Sequence, residues 1–122
     1  MAAGEIKISN DVVGKIAGEA ALSVDGVFSL SETPADGIEK LFKGSYHYGV
    51  KVEFKENSVS LEIPVVVTYG YSIPEVGKKV QEAVREEVEK LTGLKVEKVD
   101  VLVQGVHVSP KRKMSEANSS EE

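Results

Sequence analysis

The sequence predicts an α+β domain of two layers, with two helices packed on one face of a mainly antiparallel sheet in the order β-α-β-β-β-α-β. Three stretches carry that expectation. In residues 59–69 the odd positions are apolar and most even positions are polar or small, the period of a half-buried strand. From Ile73 onward, Val76, Val80, Val84, Val88 and Leu91 recur at three- and four-residue steps, the period of a helix with one apolar stripe. A shorter pattern of the same kind follows Ser9, with Val12, Val13, Ile16, Ala17, Ala20 and Val24 on one side.

In chain order, Ile6 and Ile8 alternate with charged and polar neighbours in residues 5–9, which predicts a short first strand. The first helix then starts from a Ser9-Asn10-Asp11 cap. Gly14, Gly18 and Ala21 lie together on a face beside its apolar stripe. Each glycine lowers helix stability by about 1 kcal/mol relative to alanine, so the pair marks close backbone approach, either helix-on-sheet packing or a groove for a partner. Val24-Asp-Gly-Val27 reads as a turn into a short strand, residues 27–30.

Residues 31–45 are rich in Ser, Thr, Pro and Gly around one amphipathic turn, and they read as a loop. Tyr48, Val50, Val52 and Phe54 alternate with Gly49, Lys51, Glu53 and Lys55. With Glu56-Asn57 as a tight turn, residues 48–69 read as a β-hairpin. Pro64 has no N–H for a ladder, so its strand is expected at a sheet edge or bulged there.

The long helix has complete end signals. Ser72 can accept from the N–H of Glu75 while the Glu75 carboxylate reaches back to the Ser72 N–H, Pro74 sits in the first turn, and Tyr71 can staple onto Val76. Gly93 fits the left-handed position after the last turn, with Leu94 folding back on Val88. Lys78, Lys79, Glu82, Arg85, Glu86 and Glu89 form its wet side. In the final strand the apolar phase slips at Glu97-Lys98 and again at Gln104-Gly105, which predicts two bulges or bends.

Residues 1–108 form a single α+β domain in this reading, and residues 109–122 a disordered polar tail. There is no cysteine, which excludes disulfide scaffolds, thiol catalysis and thiolate metal sites and fits a reducing compartment. The start of the chain lacks a basic region followed by an apolar run, and no apolar segment approaches the roughly 20 residues needed to span a bilayer. The expected location is cytoplasmic, with membrane association only through a partner. A net charge of −5 gives no basic excess for nucleic acid.

Residues able to carry chemistry are scattered. His47 and His107 are each isolated from any ligand spacing. Ser45 and Ser109 lack the context of a nucleophile elbow, and no glycine run matches a phosphate-cradling loop. Lys111-Arg112-Lys113 is offset by Glu116, Glu121 and Glu122. No catalytic residue, cofactor site or metal site is therefore expected. The candidate partner contacts are Leu41, Phe42 and Tyr46 in the loop, and Tyr71, Ile73 and Glu75 in the turn that opens the long helix. Each turn residue also has a local structural duty, so the turn is expected to serve the fold first.

Several of these pieces resemble one family in combination. Gly70-Tyr71-Ser72-Ile73-Pro74-Glu75-Val76, then Gln81, Val84, Val88-Glu89, Thr92-Gly93-Leu94-Lys-Val96 and Val99-Asp-Val101 closely resemble the alkaline-shock (general stress, cell-envelope stress response) protein family of Gram-positive bacteria. Ile6-Lys-Ile-Ser, the helix after it and Val24-Asp-Gly-Val27 match the family's opening, so the resemblance spans about residues 5–108. Gly77 stands where alanine is common, Asp100 where asparagine is common, and Pro64 interrupts a strand that is usually continuous.

The resemblance implies a cytoplasmic protein without known catalysis that acts by association. Some members are held at the membrane by a separate anchor protein and self-associate near the envelope; others look linked to fatty-acid synthesis through acetyl-CoA carboxylase. The expected function is a non-enzymatic interaction module in envelope stress response, binding itself and a membrane-anchored partner. The alternatives are a regulatory partner of a carboxylase subunit and, from another class, an RNA-binding module, which lacks a basic face, a clamp loop and interleaved aromatics.

Overall fold

The structure, a computed structural model, describes residues 3–30 and 49–109. Leu41, Phe42, Tyr46, His47 and the polar tail from 110 onward lie outside the described residues. The elements are α1 (Asn10–Leu22), β1 (Val27–Leu30), β2 (Lys51–Lys55), β3 (Ser58–Thr68), α2 (Ile73–Thr92) and β4 (Lys95–His107).

β3 is the centre of a four-stranded sheet. Its odd residues, Val59 to Val67, are all buried against the helices. β1 and β2 pair antiparallel with the same edge of β3, β1 at Val65–Val67 and β2 at Ser58–Glu62. Together they act as one edge strand that breaks off at Leu30 and resumes at Lys51. β4 pairs with the other edge over its whole length and runs parallel, because α2 returns the chain to the end where β3 began. Two of the three pairings are thus antiparallel, and both helices pack on one face as expected.

Two expectations about the sheet are corrected. Residues 5–9 form no strand, and Ile6 is 93% exposed. Both edges of β3 are already taken, and Ile8 packs against the core ahead of the Ser9 cap instead of entering the sheet. Pro64 lies in the central strand and needs neither an edge nor a bulge of its own. The Thr68 N–H donates to Gly26 C=O at 2.8 Å and the Tyr69 N–H to His107 C=O at 2.9 Å. Backbone direction alternates along a strand, so even residues of β3 face β1 and β2. The absent N–H of Pro64 therefore points into the break between β1, which ends opposite Val65, and β2, which begins opposite Glu62.

Other expectations hold. Glu56 and Asn57 turn the hairpin, with Lys55 opposite Ser58. β4 carries one extra residue at Glu97 and one at Gln104, which keep Val99, Val101, Val103 and Val106 on the helix side despite the slips in the sequence. In α1 the Ser9 hydroxyl accepts from the Val12 N–H, and Gly14, Gly18 and Ala21 join Val13 and Ala17 in the buried face, while Val12 turns outward. α1 packs beside α2 and over β1 and β2.

The turn before β1 is held by the turn before α2. Gly26 has φ +101°, and a Cβ there would sit 2.7 Å from Val76 Cγ2 and 2.9 Å from Tyr71 Cδ2. Tyr71 and Val76 thus close over bare backbone, which only glycine provides. Gly26→Ala combines a positive φ with overpacking and should destabilise the fold by roughly 2–4 kcal/mol. A denaturant midpoint equal to that of the unsubstituted chain would contradict this packing.

Candidate functional site

An edge strand exposes a row of backbone donors and acceptors, and among the described residues the three outer strands of this sheet treat that problem differently. β1 is four residues long and bulged beside Phe28. β2 carries Lys51, Glu53 and Lys55 on its exposed side. β4 is 13 residues long and divides into two halves.

The geometry of β4 follows from its pairing. The Lys95 N–H donates to Asn57 C=O, and His107 C=O accepts from Tyr69, so these residues face β3. With the bulges at Glu97 and Gln104, the groups of Val96, Val99, Val101, Val103 and Val106 point away from the sheet. In the first half α2 covers them. Glu89 Oε2 accepts from the Val96 N–H at 2.9 Å, Arg85 Nη1 donates to Val96 C=O at 2.8 Å, and Gln81 Nε2 donates to Val99 C=O at 3.0 Å. Residues 81, 85 and 89 are one helical stripe, and each side chain has the hydrogen-bonding sense its target requires.

The stripe continues to Gly77 and Ile73, neither of which can offer a hydrogen bond. There a groove of about 460 Å³ opens between α2 and β4, lined by Ile73, Pro74, Gly77, Lys78, Gln81, Val101 and Val103. Ile73 and Val103 are exposed in it, Val106 beyond it on the same face, and Leu102 on the opposite face of the sheet. From Val101 to Val106 this half of β4 carries no charged residue. On the opposite face of the sheet Phe28 stacks on His107, with ring centroids 3.7 Å apart.

The candidate turn residues separate in space and duty. Ile73 borders the open edge. Tyr71 is half exposed and lies on Gly26. Glu75 is exposed, and its N–H donates to Ser72 Oγ at 3.4 Å, while no bond from its carboxylate to the Ser72 N–H is found, so only one side of the expected capping box forms. Arg85 and Glu89, which look like wet-face residues in the sequence, hold the strand edge instead. Among the described residues no group of His, Asp and Glu is arranged to hold a metal ion, and no helix is long and apolar enough to cross a membrane.

The sequence pattern of one family, described as having a cell envelope-related function, matches residues 1–108. The chain belongs to the alkaline-shock (ASP23) family. Within reach of this alkaline-shock family chain is YqhY of Bacillus subtilis (strain 168), 33% identical over 109 residues that cover 88% of this chain and 81% of YqhY. A protein of Streptococcus pyogenes serotype M3 named as a stress response regulator gls24 homologue is 29% identical, over 82% of this chain and 57% of its own length. Among solved structures, the C-terminal domain of MamM in a copper form has a TM-score of 0.50 at 14% identity, over 80% of this chain and 98% of that one; the likeness is one of fold.

In this alkaline-shock family member the polar stripe of α2 should be measurable as edge protection. Glu89→Ala removes the charged acceptor of the Val96 N–H and should lower stability by about 1–3 kcal/mol. Hydrogen exchange at the Val96 amide should quicken beyond the global effect; an unchanged rate relative to its neighbours would show that the bond does not protect the edge.

Proposed function

We propose that this protein is a non-enzymatic interaction module of the cell-envelope stress response, acting from the cytoplasm by association with itself and with a membrane-anchored protein. The observation that carries the reading is the division of β4. Evolution of a sheet for stability alone has every reason to cover an apolar edge, and here one half is covered by three matched side chains while, among the described residues, the other half is not. Backbone groups beside exposed valines make a surface for protein. The family's envelope-related function and the stress-regulator name of a relative agree with that class of role.

The test is recovery of partners by the full chain from membrane and soluble fractions. A protein with its own membrane-spanning segment should be recovered, and Val103→Lys, which places a charge on the bare half of β4, should abolish its recovery while circular dichroism stays unchanged. Recovery of a carboxylase subunit alone would favour the metabolic alternative, and salt-sensitive RNA would favour the nucleic-acid reading.

The turn at residues 70–75 is assigned to the fold. Ser72→Ala should lower stability by about 0.5–1 kcal/mol, at the low end for a cap because the bond is long. Partner recovery should fall only as the folded fraction falls. Unchanged stability with loss of the partner would instead make the turn a recognition site.

A further inference from the structure

We infer that the groove between α1 and α2 is a docking site for a partner's amphipathic helix whose apolar stripe is flanked by Lys or Arg. The inference goes beyond the association surface on β4 and uses none of its residues.

The two helices run antiparallel. Asn10 Nδ2 donates to Val52 C=O at 3.4 Å, so α1 starts beside β2 and ends at the turn into β1, whereas α2 runs from the Thr68 end of β3 back to the Ser58 end. Between their outer sides lies a groove of about 530 Å³ with a floor of Ile16, Ala20, Ala83 and Leu91. The two alanines keep the floor low. The apolar stripe of α2 is buried from Val76 to Val88, and Leu91 leaves it for this groove, where 57% of its surface is exposed. Val12, also exposed, lies one turn from Ile16 on the same side of α1.

The walls select a helical occupant. Their backbone groups are bonded within α1 and α2, so an extended segment laid here would leave its own N–H and C=O groups without partners. A helix satisfies its own backbone and seats its side chains between those of the two walls. From Ala83 to Leu91 the groove follows α2 for about 12 Å, the length of two turns.

Charge selects what flanks the occupant's stripe. The walls carry Glu19, Glu86 and Glu87 against Lys15, three carboxylates to one ammonium, on a chain of net charge −5. Glu86 and Glu87 form no ion pair with any described residue. A fatty acid or an anionic membrane surface would bring negative charge against these walls. Lys or Arg beside an apolar stripe suits both parts of the groove, since the long stems cover the edge of the floor while the charged heads reach the carboxylates.

The experiment is fluorescence anisotropy of the full chain with a labelled peptide of roughly 14 residues, four turns of helix, built from Leu, Ala and Lys with the leucines in one stripe. Saturable binding that weakens with salt is expected. The same peptide with Glu in place of Lys should not bind, nor should one with two central prolines, which cannot form the helix. Leu91→Ser, which removes part of the floor, and the double variant Glu86→Lys with Glu87→Lys should each weaken binding about tenfold or more while the melting temperature stays within a few degrees. No binding of the lysine peptide, equal binding of the proline peptide, or binding that Leu91→Ser leaves unchanged would overturn the inference, the last by showing attraction through net charge alone. Binding only after Leu41→Ser with Phe42→Ser would also overturn it, by giving the groove to the chain's own residues 38–42, whose apolar pattern covers little more than one turn. None of these outcomes bears on partner recovery through β4.

Discussion

The structure depends on β3 being paired on both edges while one of its faces is dry. Val59, Leu61, Ile63, Val65 and Val67 are buried to within 2% of full occlusion, so the helices must lie over that face. With both helices on one side, α2 can reach the start of β4 only by running back along the sheet, and β4 must then be parallel to β3. That leaves β1 and β2 to share the remaining edge. The break between them is where the chain leaves at Leu30 and returns at Val50, and it is also where Pro64 can sit in a central strand without losing a ladder bond.

The same arrangement creates the asymmetry of β4. α2 begins at Ile73, level with Val103, so the helix can supply side chains to the early part of β4 and none beyond its own first turn. Val96 and Val99 are served by Glu89, Arg85 and Gln81, a set in which an acceptor meets an N–H and two donors meet carbonyls. The late part of β4 extends past the helix and receives no side-chain bond from it among the described residues. A single element thus gives a strand whose first half is internal in character and whose second half remains an edge.

Much of this was legible because it is local or periodic. The stripe of α2, its serine cap, the glycine stop at Gly93, the hairpin turn at Glu56-Asn57 and both bulges of β4 follow from spacing that a single segment displays. What escaped depends on two segments meeting. Ile6 and Ile8 have the alternation of a strand, but Ile8 packs against the core and Ile6 stays in solvent. Arg85 and Glu89 have the composition of a solvated face, and only the position of β4 turns them inward. The duty of Gly26 needed the ring of Tyr71 to be placed before it could be seen. Of the candidate contacts, Ile73 does border the bare edge, while Tyr71 and Glu75 serve the turn; Leu41, Phe42 and Tyr46 lie outside the described residues.

The second bulge of β4 bears on what the open half is for. The first, at Glu97, has an evident reward inside the domain, since it brings Val99 into the core beneath α2. The second, at Gln104, restores Val106 to the helix side at a level where α2 has already ended, and Val106 stays 47% exposed. Bulges also commonly blunt an edge by bending it away from intruding strands. Here the bend falls after Val101 and Val103, so it limits how far a partner strand can run without removing the two outward residues beside Gly77. An edge that loses its covering side chains after Gln81 and meets a bulge at Gln104 has a short uncovered length, which limits strand addition.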